Sequence, residues 1–168
     1  AADDDSFSLQ CYIKGDDGDR PLRCDIRRLD NKEGRRLGQM FVFSDISLET
    51  DMLTGFQKWD SFQRLAMEEV DHFTFPVGVA ICDINGLSVI NSTRGNQAGD
   101  QRINALAGIM RKNFPERTYY VRGIDAHLIA LCSHSSEEEM AACVEKVKEQ
   151  YDGSIQYAVG EAADEGQS

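Results

Sequence analysis

The polar and apolar positions of this chain fall into two regimes. From Ser6 to Ile46 they alternate. Phe7, Leu9, Cys11 and Ile13 share one side of FSLQCYI, and Leu22, Cys24 and Ile26 share one side of PLRCDIRRL. A third apolar run, LGQMFVFSDI, follows, and the charged, turn-rich stretches GDDGDR and DNKEGRR separate the three. This pattern predicts an antiparallel meander with one wet face, whose apolar face needs cover from the rest of the chain, a second copy or further residues. From Trp59 onward the period changes to that of a helix, with Trp59, Phe62, Ala66, Val70 and Phe73 on one stripe. PVGVAICDI predicts a strand buried on both faces, and Ile103, Leu106, Ala107 and Met110 predict a helix over 99–113 that stops before Pro115. RTYYVRG and AHLIALC predict a hairpin. Ser135 and Ser136, ahead of Glu138 and Glu139, open a helix that turns Met140, Cys143, Val144 and Val147 inward, and SIQYAVG is the last strand. Helix, strand, helix, hairpin, helix, strand is the order of an α+β domain with helices packed on a mainly antiparallel sheet.

Charge narrows the partners. The chain has 168 residues with 29 acidic against 18 basic, a formal net charge of -11, so it repels phosphate backbones and anionic lipid. Nucleic acid is not an expected partner. No stretch approaches the roughly 20 apolar residues of a membrane span, and AADDDS lacks the pattern of a signal peptide, so no membrane contact is expected of this segment. The five cysteines, Cys11, Cys24, Cys82, Cys132 and Cys143, lack CxxC spacing and sit mostly in apolar runs, as reduced core thiols of a cytoplasmic protein do. The acidic runs at 3–5 and 137–139 read as a solvated tail and the first turn of a helix.

Three segments carry a resemblance. DMLTGFQKWDSF resembles the DxLTGLxNRxxF entry of GGDEF domains, the diguanylate cyclase family; DINGLSVINSTRGNQAGD resembles their DIDxFKxxNDxxGHxxGD; and YAVGEA resembles their closing SxGxA strand. The match runs over roughly 51–162 and keeps the spacing of Asp83, Asn91, Gly95, Gly99 and Asp100. The segment before it, ending in FSDIS, resembles the last three strands of a PAS sensor domain. The expected organisation is a partial PAS-like meander at 1–47, a signalling linker at 48–58 and a GGDEF-type domain at 59–168 without its last helix. The resemblance implies a palm-like fold that works as a homodimer, in which two GTP molecules held with Mg²⁺ become cyclic di-GMP.

The resemblance also implies which residues would act. Asp83 stands at the first metal-ligand position, and Asn91 and Asp100 stand at the pair that reads the guanine edge. These three residue types also cap turns and helix starts for purely structural reasons. With Arg122 at the arginine of RYGGDEF, the five signature letters read Ile124, Asp125, Ala126, His127 and Leu128. A β-branched side chain then stands where phosphates would approach, a carboxylate is added beside it, and the metal-binding carboxylate is gone. Sliding the register to put Asp125 on the signature Asp still loses one glycine and one carboxylate. Ser88 stands at the family lysine, Asn85 at the second Asp of DIDxFK, and Pro115 and Thr118 at the ends of the inhibitory RxxD.

These losses predict a domain without catalytic residues and without an inhibitory site, which relays or dimerises under a PAS-like sensor and serves other domains of a parent signalling protein. No cofactor is expected, with Mg²⁺ only if GTP binding is retained. The alternatives are a GTP-binding regulatory receptor using Asn91 and Asp100, and an active diguanylate cyclase. A different metal site, from Asp83 with Asp125 and His127 sharing a strand face, is weighed against the commoner solvated histidine, the reading also given to His72 and His134.

Overall fold

The computed structural model describes residues 6–14, 20–68, 73–116 and 118–163. The acidic run 3–5, the first inter-strand turn at 15–19, Val70 and His72 lie outside the described residues, as do the side chains of Phe7 and Ala66. The chain divides into two compact units, 1–50 and 51–168.

In the first unit, β1 (Ser6–Ile13), β2 (Arg20–Asp30) and β3 (Arg36–Asp45) form an antiparallel sheet in the order β1-β2-β3. The register sets Leu9 against Cys24, Cys11 against Leu22, Cys24 against Phe43 and Ile26 against Phe41. Opposed residues share a face, so the alternation read from the sequence does produce one apolar face. Cys24 and Ile26 in the central strand are buried, whereas Leu9, Ile13, Phe41 and Phe43 on the outer strands are exposed.

The second unit is a mixed five-stranded sheet flanked by helices. It contains β4 (Gln57–Lys58), α1 (Trp59–Glu68), β5 (Val77–Ile84), α2 (Leu87–Arg94), α3 (Asn96–Asn113), β6 (Thr118–Arg122), β7 (Leu128–Ser133), α4 (Glu137–Gln150) and β8 (Ile155–Ala162). The strand order is β4-β6-β7-β5-β8, antiparallel throughout except for β4 on β6. The core packs Ala80, Cys82, Ile84, Leu128, Ala130 and Cys132 of the sheet against Leu106 and Met110 of α3 and Met140, Val144 and Val147 of α4. A smaller cluster centres on Phe62, Val121 and Ile129, with Trp59 and Phe73 at its edge. Helix α4 opens on the expected capping box: the Glu139 amide donates to Ser136 Oγ (3.3 Å), and the Ser136 amide donates to the Glu139 carboxylate (3.0 Å).

Several sequence expectations change. Helix α1 is described over Trp59–Glu68, and Phe73 joins its cluster from outside a helix. Helix α3 begins at Asn96, three residues earlier than the apolar spacing indicates. Helix α2 and the two-residue β4 have no counterpart in the apolar pattern, because α2 buries no residue fully. Strand β5 is not buried on both faces: Gly78, Ala80, Cys82 and Ile84 face the helices, and Ile81 on the opposite face is exposed. The expected thiol chemistry is quiet. None of the five cysteines is bridged, and burial pushes the Cys82 thiol up to about 11 and raises those of Cys24 and Cys143.

Candidate functional site

The DxLTG segment builds its own turn. Asp51 Oδ2 accepts from the Thr54 amide (2.9 Å) and hydroxyl (2.6 Å), and Thr54 Oγ1 accepts from the Phe56 amide (3.1 Å). Gly55 sits at φ 68°, in the left-handed region that a residue without Cβ enters at little cost. The turn is pinned to α3 by the Arg111 guanidinium, which donates to the Thr54 carbonyl (2.5 Å) and lies 4.8 Å from the centre of the Phe56 ring. Phe56 in turn stacks on Tyr120 of β6, with ring centres 4.9 Å apart. Each DxLTG letter in the turn except the leucine thus has a hydrogen-bonding or conformational task.

Asp83, next to last in β5, faces away from the helix-packed core, half-buried, and its Oδ1 accepts from the Ile84 amide (2.8 Å). The next residue in the motif, Asn85, ties the strand end to the start of β8: its Nδ2 donates to Ser154 Oγ (2.6 Å) and its amide to the Ser154 carbonyl (3.0 Å). Gly86 at φ 71° and Gly95 at φ 85° bracket α2, which explains how so short a helix starts and stops without side-chain caps. Ser88 is exposed on α2.

Asn91 and Gly99 are fitted to one another. A Cβ built on Gly99 would lie 1.9 Å from Asn91 Oδ1, so the amide of α2 fills the space a side chain on α3 would take. That Oδ1 is buried and has no hydrogen-bond partner among the described residues. Asp100, the next residue on α3, is exposed. Gly99→Ala is expected to destabilise the second unit by about 1–3 kcal/mol through this overlap. Urea denaturation followed by fluorescence of Trp59, the only tryptophan, measures it, and Asn91→Ala in the same chain should recover most of the loss; a Gly99→Ala variant as stable as the parent would contradict the fit.

The hairpin between β6 and β7 closes through a 3₁₀ turn at Ile124–Ala126. The Gly123 amide donates to the His127 carbonyl (2.9 Å) and the His127 amide to the Ile124 carbonyl (3.2 Å). Positive φ falls on Asp125 (54°) and Ala126 (74°), not on Ile124, so the β-branched residue escapes the conformation it disfavours and stands 67% exposed at the bend. The Arg122 guanidinium folds back and donates to the Ala126 carbonyl (2.5 Å). Burial lowers its pKa, and the charges of the Asp51, Asp100 and Asp83 carboxylates oppose that shift.

The carboxylates of Asp51, Asp83 and Asp100 thus act electrostatically on Arg122, and Asn91 stands on the adjoining helix pair. The structure does not bring Asp83, Asp125 and His127 together: among the described residues no three histidine, cysteine, aspartate or glutamate side chains form a metal-sized group. Asp125 and His127 also do not share a strand face, because the turn replaces the strand on which a period of two would apply. Leu128 opens β7 and is buried, Thr118 opens β6, and Pro115 precedes it in the loop after α3. Sequence reasoning missed the parts of Arg111 and of Asn85; the first has no local signature, since its hydrogen-bond partner Thr54 lies 57 residues away.

Comparisons with known proteins agree with this fold. Solved structures with the same fold include the FimX GGDEF domain from Pseudomonas aeruginosa (21% identity, TM-score 0.59, covering 71% of this chain and 83% of that one). The coiled coil and GGDEF domain of DgcB from Caulobacter crescentus, in complex with c-di-GMP, matches at 20% identity and TM-score 0.55, over 72% of each chain. Diguanylate cyclase SiaD from Pseudomonas aeruginosa, in complex with its activator SiaC, matches at 18% identity and TM-score 0.56, over 71% of this chain. This chain spans 51% of the SiaD chain, about half its length. A search of curated protein sequences gave no significant match. The family model for "Diguanylate cyclase, GGDEF domain" matches residues 48–162, and the chain belongs to the GGDEF domain family.

Proposed function

We propose that this GGDEF domain is catalytically degenerate and serves as a relay or dimerisation module. In this reading, residues 1–47 are part of a PAS-like sensor, 48–58 carry its signal, and the output belongs to other domains of a cytoplasmic parent protein. The observation that carries the reading is the hairpin bend. Ile124 and Asp125 project from the place where the family pattern has two glycines, and a triphosphate would meet an exposed apolar side chain and an added negative charge.

The divalent metal of the family tests the same place. A metal such as Mg²⁺ is held by carboxylates together with phosphate oxygens. Here Asp83 offers one carboxylate, while Ala126 has only its backbone carbonyl, which already accepts from the Arg122 guanidinium. Among the described residues no three carboxylate, histidine or cysteine side chains come together around Asp83, and this donor set does not fit the metal.

One observation favours a second reading, a GTP-binding regulatory receptor. Asn91 and Asp100 remain at the positions implied for guanine, and Asn91 Oδ1 is buried without a partner, a state that costs free energy unless something offsets it. Calorimetric titration of the chain with GTP and Mg²⁺ separates the two. The relay reading expects no saturable heat tighter than about 1 mM, roughly -4 kcal/mol of binding. Saturable binding that Asn91→Ala abolishes would replace it with the receptor.

A further inference from the structure

Strand register sets two of the five cysteines beside each other. In the antiparallel pair β1–β2, Leu9 is opposed to Cys24 and Cys11 to Leu22, so Cys11 and Cys24 are diagonal neighbours on one face of the sheet. Such neighbours stand about 7–8 Å apart at Cα and somewhat less at Cβ. A disulfide needs Cβ atoms about 3.5–4.5 Å apart, and both thiols are free. The diagonal is instead the span of a bridging atom: two metal–sulfur bonds of about 2.3 Å hold their sulfurs about 4.6 Å apart. The other three cysteines have no such neighbour. Cys82 is opposed by Leu128 and Tyr157, Cys132 by Gly78 and Thr118, and Cys143 lies on α4. This pairing rests on backbone register, which further strands beside β1 or β3 would leave unchanged.

We propose that Cys11 and Cys24 form a two-coordinate thiolate site for a soft monovalent cation of the Cu(I) type. The surroundings select this chemistry. The residues opposed to the pair are Leu9, Leu22 and Phe43, so sulfur is the donor that this part of the face offers. Asp45 shares the face, opposed to Leu22, but its Oδ1 already accepts from the Ser47 amide (2.8 Å). Among the described residues no third cysteine, histidine or carboxylate completes a metal-sized group. Zn²⁺ takes four ligands and Mg²⁺ takes oxygen, whereas two thiolates alone are enough for a soft ion that binds linearly. Binding exchanges two protons for one cation, M⁺ + 2 RSH giving M(SR)₂⁻ + 2 H⁺, and no oxidation state changes. The two thiols already act on one another: burial raises the pKa of Cys24, and Cys11 raises it further. A protonated thiol is a poor nucleophile, so the pair resists electrophiles yet yields its protons to a soft ion.

The inference deepens the relay reading by giving its sensor a signal, but it is tested with a metal ion and that reading with nucleotide, so the two fail separately. The reduced 168-residue chain is titrated anaerobically with Cu(I) against a chromophoric Cu(I) chelator. One equivalent is expected to be held, with two protons released into weak buffer, and Zn²⁺ is not expected to displace it. Cys11→Ser should weaken retention at least about tenfold, the least that even an outer-shell partner of a metal costs. Cys143→Ser, which removes the other half-buried thiol, should leave retention unchanged. Thermal unfolding gives a second readout: Cu(I) should raise the midpoint of the parent chain and leave that of Cys11→Ser where it was. A chain that loses Cu(I) to the chelator, an equivalent held equally well by Cys11→Ser, or retention that depends on Cys143 overturns the proposal.

Discussion

Phe56→Ala is expected to lower the stability of the second unit by about 3–5 kcal/mol, as the removal of a fully buried aromatic ring does. The ring is 1% exposed and belongs to the main core. Its loss removes three things at once: the stack on Tyr120, the face under Arg111, and the packing that holds the DxLTG turn against β6. Tyr120 itself is buried enough for its hydroxyl to be pushed up to about 12, so an opened cavity would sit beside a polar group with few partners. Domains of this size are stable by only 5–15 kcal/mol, so this is a large share. Urea denaturation read through Trp59 checks it, with Phe56→Leu as the milder control. A loss below about 1 kcal/mol would show that the turn is held by its hydrogen bonds and not by the ring.

That dependence also shows what could be read from the sequence. The helix stripe Ile103, Leu106, Ala107 and Met110 is buried as its period indicates, because α3 presents one face to a sheet and nothing else competes for it. The capping box at Ser136 and the meander alternation are legible for the same reason: each is decided within a few residues. Helix α2 is not, since its limits are set by the positive φ of Gly86 and Gly95 and not by apolar spacing. The candidate site divides along the same line. Asp83, Asn91, Gly99 and Asp100 are recoverable from motif spacing, yet the reason Gly99 must be glycine is an amide on another helix, visible only in three dimensions. The conformation of the bend is equally hidden: the letters Ile124 to Ala126 do not say which residue takes positive φ, and it falls on Asp125 and Ala126, sparing the β-branched Ile124.

The same bend sets the second large effect. Incubated with GTP and Mg²⁺, the chain is expected to form cyclic di-GMP at least about 10⁴-fold more slowly than a family member with an intact signature, which places it at the background of a chromatographic assay. Removing one group that stabilises developing charge costs on the order of 10²–10³ in kcat. Two such groups are missing by the family pattern: the carboxylate at Ala126 and the lysine at Ser88. The Arg122 guanidinium does not replace them, because it is directed to the Ala126 carbonyl. Measurable product would mean that the bend reorganises when nucleotide binds, with Arg122 released toward the phosphates. Arg122→Gln distinguishes that case: it should abolish such product, and it should leave a chain that makes none unchanged in the same assay.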